Sequence, residues 1–225
     1  MKFGIYNHYW RLSEFLEDRK SHNIVASRDG HLYEIRRTPF GMISVPASEN
    51  ALRRLEEVPK GFQFELPLIP GEIMEQILTF FRKYCNPWVE SEVMIQIFWH
   101  KTEHYYKAIC PPQKVSKVHV DAEPMTGDGE LVEVLQIHSH NTMDAYFSST
   151  DNADEQRFLL YGVVGRLNET NPSILLRVGL NGYFYTLPIE RVFTNFNKSK
   201  DNAYPIEWDN NIEYITFLGD EESLY

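Results

Sequence analysis

Residues 136–155 read QIHSHNTMDAYFSSTDNADE, and the segment changes character part of the way along. Together with the residues before it, its beginning reads as an apolar strand that ends in two histidines. Because successive side chains of a strand point to opposite faces, His138 and His140 are expected to project the same way. The acidic residues that follow Ser148 are typical of the first turn of a helix. The sequence therefore predicts that a strand end, a loop and a helix start surround one point.

The residue types at this point are those of a metal site. Zinc in a catalytic site takes three protein ligands from nitrogen and oxygen donors and keeps one position for water. His138 and His140 supply two nitrogens, and the ten residues between His140 and Asp151 are long enough to bring a carboxylate back to them. We therefore predict that His138, His140 and Asp151 are the ligands of a Zn²⁺ ion.

The chain on either side of this segment predicts both strands and helices. LIPGEIMEQILTFFRKY (68–84) has the apolar spacing of an amphipathic helix that starts at Pro70. EVMIQIFW (92–99) and HYYKAIC (104–110) are typical of two paired strands, whereas ADEQRFLLYG (153–162) is expected to be helical. We therefore predict an α/β fold, with a mixed central sheet flanked by helices.

Changes of pattern along the chain suggest three parts. Residues 1–67 contain short strands and turns, and we expect a small β-rich N-terminal domain there. Residues 68–195 carry the long helix, the apolar strands and the candidate ligands, so they are predicted to form the catalytic domain. Residues 196–225 are polar and acidic and are predicted to form a C-terminal appendage.

Composition limits the kinds of partner. With 225 residues, 43% of them hydrophobic, the chain is long enough for one large core or for a core plus a small domain. A net charge of −10 argues against a nucleic-acid surface. The sequence has neither the apolar stretch of a secretory signal nor a membrane-spanning run of ~18 apolar residues. Cys85 and Cys110 form no CxxC pattern, which fits a reducing compartment. We therefore expect a cytoplasmic protein that binds neither nucleic acid nor a membrane.

The spacing of the candidate ligands resembles a known signature. His138-x-His140, seven residues, Ser148, two residues and Asp151 match the full metal-binding signature of the JAMM (MPN-plus) zinc metallopeptidases. The resemblance covers about residues 68–190, and more narrowly the segment is similar to the bacterial branch that includes the PRTRC system protein A family. It implies a JAMM/MPN domain, similar to the cytidine-deaminase fold, with bound Zn²⁺.

The same resemblance implies roles for further residues. Glu92 stands at the start of the strand after the first helix, where the family has the general base that activates water and protonates the leaving amine. Glu90, two positions away on the same strand face, is the second choice. Ser148 matches the serine that stabilises the oxyanion. A serine at this place also suits a helix N-cap, and the two roles are compatible.

The resemblance implies a zinc-dependent hydrolase that cleaves a peptide or isopeptide bond in a protein or peptide substrate. A ubiquitin-like protein is one candidate partner. Asn141 and Phe147 stand where the deubiquitinating members of the family usually have proline, so the resemblance does not extend to ubiquitin itself as the substrate. The alternative is a non-catalytic MPN-type scaffold or binding module of a mobile-element-encoded complex. The scissile bond and the oligomeric state stay open.

Two competing zinc patterns fit less well. His100, Glu103 and His104 match HxxEH, which binds zinc when a helix places both histidines on one face. Here the pattern falls on a turn between two predicted strands, so we expect no such site. Nucleobase deaminases need HxE followed by PCxxC, and the sequence contains neither.

Overall fold

The structure is a computed structural model that describes residues 7–17, 22–49, 55–88, 90–125 and 129–215. Its contacts separate into two compact units, Met1–Lys60 and Gly61–Tyr225. Of the predicted C-terminal appendage, residues 196–215 are described within the second unit, and residues 216–225 lie outside the described residues. No helix in the described stretches has the length and apolar character needed to cross a membrane.

The first unit contains a four-stranded sheet and a short helix, α1 (Leu12–Glu17). In spatial order the strands are β1 (Asn7–Tyr9), β2 (His22–Ala26), β3 (Leu32–Thr38) and β4 (Gly41–Pro46). β1 pairs with β2 in parallel, and the other two pairs are antiparallel. Phe15 of α1 packs with Val25 and Ile35, and these buried side chains form the core of the unit.

The second unit is built on a six-stranded sheet. In spatial order its strands are β12 (Tyr183–Leu187), β11 (Ser173–Leu180), β10 (Leu159–Gly165), β9 (Leu131–Ser139), β5 (Met94–His100) and β6 (Tyr105–Ile109). β9 and β10 are parallel, and the other neighbouring pairs are antiparallel. A three-stranded sheet adds β13 (Ile212–Tyr214), β7 (Gln113–Ser116) and β8 (His119–Ala122).

Helix α2 (Gly71–Tyr84) confirms the predicted amphipathic helix. Most of its apolar side chains, Ile77 and Phe81 among them, are fully buried in one cluster with residues of the six-stranded sheet. Burial of a side chain of this size contributes about 1.5–3 kcal/mol. The polar side of the helix binds the C-terminal part of the unit, where Lys200 forms an ion pair with Glu75 (2.7 Å).

The predicted α/β fold class, with a mixed central sheet flanked by helices as in a JAMM/MPN domain, is wrong. Of the residues that the structure describes, 38% are in strands and 18% in helices, with three mixed sheets and few helices. The largest difference follows Asp151, because α3 (Ser149–Asp154) ends after six residues and the apolar run from Leu159 enters the sheet as β10. Every residue of β10 is buried. A continuous apolar run suits such a strand, which needs no helical periodicity.

Pairing of strand β9 with both of its neighbours fixes the position of the histidines at its end. Met94 of β5 lies opposite His138 on one side, and Val163 of β10 lies opposite it on the other. Beyond the strand end, the amide of His140 donates to the carbonyl of Val164 at 2.7 Å. Both edges of the strand are therefore held where the candidate ligands project.

The loop between the histidines and α3 is held against the end of β10. The amide of Arg166 donates to the carbonyl of Met143 at 2.7 Å. The approach is so close that a Cβ atom at Gly165 would collide with backbone atoms of residues 143–145. Glycine at this position therefore lets the loop return to the sheet.

Gly165→Ala is expected to lower the free energy of unfolding by about 1–3 kcal/mol, the usual cost of overpacking, because the loop backbone has to move away from β10. Urea unfolding followed by circular dichroism measures the change. Gly41→Ala is the control, since a methyl group there meets open space. A Gly165→Ala protein that unfolds at the wild-type urea concentration would contradict this account of the loop.

Candidate metal centre

The two histidines face each other at the end of β9. Their Nε2 atoms lie 3.2 Å apart, and the residues are only 7% and 4% exposed. His138 is on the strand and His140 directly follows its last residue, so the alternation of the strand accounts for their common direction. The predicted shared face of His138 and His140 is confirmed.

Asp151 reaches the histidines from the start of α3. Ser148 is the N-cap of this helix and Asp151 its third residue. The amide of Ser148 donates to Asp151 Oδ2 (2.6 Å), and the amide of Asp151 donates to Ser148 Oγ (3.1 Å), which is a reciprocal capping box. This arrangement occupies Oδ2 and leaves Oδ1 at 3.6 Å from Nε2 of His138.

The three side chains fit a tetrahedral metal ion. One ligand atom from each lies within 4.8 Å of the other two. Ligands at about 2.0–2.1 Å from a tetrahedral zinc ion are about 3.3 Å from one another. The distances of 3.2 Å between the histidine nitrogens and 3.6 Å from His138 to Asp151 are close to that value. Within the described stretches, no other group of three or more potential ligands is this compact.

The surroundings give these side chains the protonation states that metal binding requires. Burial lowers the pKa of both His138 and His140, against the opposing effect of the Asp151 charge. The imidazoles are therefore neutral at pH 7 and have a nitrogen lone pair to offer. Burial acts to raise the pKa of Asp151, but His138 and hydrogen bonds with Ser148 hold it below its usual value. Asp151 is therefore ionised.

Glu92 lies beside the three ligand residues. It is 6% exposed, and its Oε1 is 3.9 Å from Nε2 of His140. Its amide donates to the carbonyl of Ser116 (2.9 Å), which fixes the backbone just before β5. Burial, with the charge of Asp151 as a second cause, raises the pKa of Glu92 to about 8. A carboxyl group with such a pKa can take and release a proton near neutral pH.

Glu90, the second choice for the base, is engaged elsewhere. Its carboxylate forms an ion pair with Lys117 (2.8 Å) and accepts a hydrogen bond from the Thr142 hydroxyl (3.1 Å). The hydrogen bond from Lys117 lowers the pKa of Glu90. Glu90 therefore joins the β7–β8 turn to the loop after His140, and its carboxylate is already paired.

Ser139 has a structural role that its position in the sequence does not reveal. Its hydroxyl accepts a hydrogen bond from the amide of Val93 (2.9 Å), and its own amide donates to the carbonyl of Val93 (2.9 Å). Ser139 thus holds the residue next to Glu92. A serine between two histidines carries no local signal for this contact, because its partner lies 46 residues earlier in the chain.

Ser148 serves the cap of α3 and still has a proton to donate. Its oxygen accepts the hydrogen bond from the amide of Asp151, so the hydroxyl hydrogen takes no part in that bond. Ser148 also lines the same cleft as the ligands. The helix-cap role that the sequence left open is present, and the oxyanion role stays a prediction.

The three candidate ligands and Glu92 line a cleft of about 320 Å³. Three apolar side chains, Val118, Met143 and Tyr146, line it as well and are exposed. The ring of Tyr146 meets the ring of His140 edge to face, with centroids 4.7 Å apart. The cleft therefore combines a polar floor with an apolar rim.

The competing HxxEH pattern lies on the turn between β5 and β6, as the sequence predicts. Nδ1 of His100 accepts a hydrogen bond from the amide of Glu103 (3.2 Å), and its ring stacks on Tyr105. His104 has a φ of 56°, which is not a helical value. The two histidines therefore do not share a helical face.

His138→Ala is expected to remove metal binding, because it deletes one of three ligands, whereas the wild-type protein should hold about one zinc per chain. Elemental analysis after zinc loading and desalting measures the content. His119→Ala is the matched control, since His119 lines the same cleft but is not one of the three ligand residues. A wild-type protein without zinc, or equal zinc in both proteins, would rule out the predicted ligand set.

Comparison of the chain with protein-family models and with curated proteins found no match to either. The functional assignment therefore depends on the chemistry of the centre itself.

Proposed function

We propose that the protein is a zinc-dependent hydrolase that cleaves a peptide or isopeptide bond, with a metal centre of JAMM type on a mostly β scaffold. The supporting observation is the tetrahedral spacing of His138, His140 and Asp151 with the carboxyl group of Glu92 beside them. Structural zinc sites use four protein ligands and are closed. Three ligands that line an open cleft are typical of a catalytic site instead.

Zn²⁺ held by these ligands would act as a Lewis acid on the substrate carbonyl and would make water acidic enough to lose a proton near pH 7. Glu92 supplies the proton transfers. Its carboxylate takes a proton from the attacking water and passes that proton to the nitrogen that leaves. A C–O bond forms, the C–N bond breaks, and the products are a carboxylic acid and an amine.

Ser148 is the proposed donor to the carbonyl oxygen as that oxygen becomes negatively charged. Two observations support this role: the hydroxyl hydrogen is not used by the helix cap, and the side chain lines the cleft that contains Glu92. Removal of one donor of this kind costs roughly 10²–10³ in kcat.

A protein or peptide is the proposed substrate. The exposed apolar side chains of Val118, Met143 and Tyr146 would contact substrate residues on either side of the scissile bond. A ubiquitin-like protein is one candidate source of such a chain. The proposed compartment is the cytoplasm, because Cys85 and Cys110 are both free thiols.

A binding module is the second candidate, and the surface of the first unit favours it. Trp10 and Phe40 there are 86% and 96% exposed, and Ile43 on β4 is 58% exposed. Every residue of β4 is exposed, and β4 is an edge strand of its sheet, a position at which another chain can add a strand. A scaffold would keep partner binding without hydrolysis, so loss of the proposed base separates the two functions.

Glu92→Gln is expected to keep zinc and to lower hydrolysis by roughly 10²–10⁴, the contribution of a positioned general base. Asp151→Ala is expected to lose zinc on desalting and to lose hydrolysis, because the two histidines that remain bind the ion far more weakly than three ligands do. Zinc content and cleavage of a panel of peptides and isopeptide-linked lysine peptides are measured on the same preparations.

Glu90→Gln is the control for the base, since its carboxylate pairs with Lys117 and Thr142. It should keep zinc and most of the hydrolysis. Full activity in Glu92→Gln would mean that another group is the base. A zinc-loaded wild-type protein that cleaves no member of the panel would favour the binding module.

A further inference from the structure

Helix α3 carries a ligand but lacks the usual means of staying in place. None of its residues is buried, so no apolar face packs it against the sheet. A helix of six residues is also too short to be stable alone. The capping box orders its first turn but does not connect it to the rest of the unit. Another interaction must therefore set the distance from Asp151 to the histidines.

Arg177 of β11 supplies this interaction. It is 6% exposed, and its Nε donates to Oε2 of Glu155 at 2.7 Å. A second nitrogen of the same guanidinium lies 2.5 Å from that oxygen, and the third donates to Oδ1 of Asn152 at 2.6 Å. Asn152 lies within α3 and Glu155 is its C-cap. One buried side chain thus binds the helix at two places.

The guanidinium is itself held in a fixed orientation. It lies between the rings of Phe147 and Phe184, with its central carbon 3.7 Å from each ring centroid. Phe147 directly precedes the N-cap, and Phe184 belongs to β12. Arg177 therefore contacts the chain before, within and after α3. A backbone hydrogen bond from Asn181 to Gln156 (2.9 Å) adds a further link just after the helix.

A single hydrogen bond connects Glu155, which Arg177 holds, to the proposed ligand Asp151. The amide of Glu155 donates to the carbonyl of Asp151 at 2.9 Å, so the residue that Arg177 holds is hydrogen-bonded to the ligand residue. We propose that Arg177 is the positioning residue of the metal centre, which sets Asp151 at ligand distance from His138. This inference rests on the proposed metal centre and adds to it the group that keeps the third ligand in place.

Lysine would not replace arginine in this role. The planar guanidinium binds two acceptors at once and stacks between two rings, whereas an ammonium group is a single point of charge on a flexible stem. Arg177→Lys should therefore weaken Zn²⁺ binding almost as much as Arg177→Met does, although lysine keeps the positive charge. Groups that contact a ligand residue and orient it toward the metal typically contribute about ten- to a hundredfold in metal affinity.

The test is the dissociation constant for Zn²⁺, measured by competition with a chelating dye, together with the visible absorption spectrum of the Co²⁺-loaded protein. Arg177→Met and Arg177→Lys are expected to bind Zn²⁺ about ten- to a hundredfold more weakly. Their Co²⁺ spectra should approach that of Asp151→Ala, in which the aspartate ligand is absent. Arg157→Met is the matched control, because Arg157 pairs with Glu133 outside the ligand group and should keep wild-type affinity.

A double variant separates positioning from a general loss of stability. If Arg177 acts through Asp151, adding Arg177→Met to Asp151→Ala should leave the weakened affinity unchanged, since coupled effects do not add. Asn152→Ala removes only the partly buried hydrogen bond from Arg177 to Asn152, and it is the variant to use if Arg177→Met does not fold. Additive losses in the double variant would overturn the inference. So would wild-type affinity and spectrum in both Arg177→Lys and Asn152→Ala.

The outcome also separates this inference from the proposed function. A wild-type protein that binds neither Zn²⁺ nor Co²⁺ would remove the metal centre and the inference with it. A wild-type protein that binds metal through Asp151, with no response to Arg177, would leave the centre intact and overturn the inference alone.

Discussion

The pairing of strand β9 on both of its edges is the constraint on which the candidate centre depends. β5 runs antiparallel on one side and β10 parallel on the other, so neither edge is free to slip. A shift of one residue would turn the histidines to the opposite face of the sheet. The buried Leu135 and Ile137 prevent that shift, because they would have to leave the apolar cluster beneath α2. The register that satisfies the core therefore also directs His138 and His140 into the cleft.

The same sheet removes the polar groups of the centre from water. Burial of imidazole and carboxyl groups without full hydrogen bonding is unfavourable, and Glu92 and Asp151 lie close enough for their charges to oppose each other. A divalent cation among these groups would offset the negative charge. Metal binding and the folded state would then stabilise each other, since a ligand that binds only the folded chain shifts the unfolding equilibrium.

Sequence patterns located the strands better than they located the helices. The β5–β6 hairpin follows from two apolar runs on either side of a turn, and α2 follows from apolar residues at helical spacing. Residues 153–162 begin with good helix formers, yet from Leu159 they form the buried strand β10. Pairing with β9 and β11 overrides the local preference there, and the pairing partners are distant in sequence. The prediction of a helix-flanked fold is wrong for this reason.

Local sequence was sufficient to indicate the three candidate ligands. Alternation along a strand brings His138 and His140 to one face. A serine three residues before an aspartate forms a capping box. Both rules act over only a few residues. The resemblance put Glu92 before Glu90, but the folded chain was needed to show that Glu92 lies beside the candidate ligands while Glu90 is paired with Lys117 and Thr142. The contacts of Ser139 and Arg177 also required the folded chain. Their partners lie 46 residues away for Ser139 and 22 for Arg177, so no short pattern encodes them. Such contacts form only when strand pairing brings distant segments together.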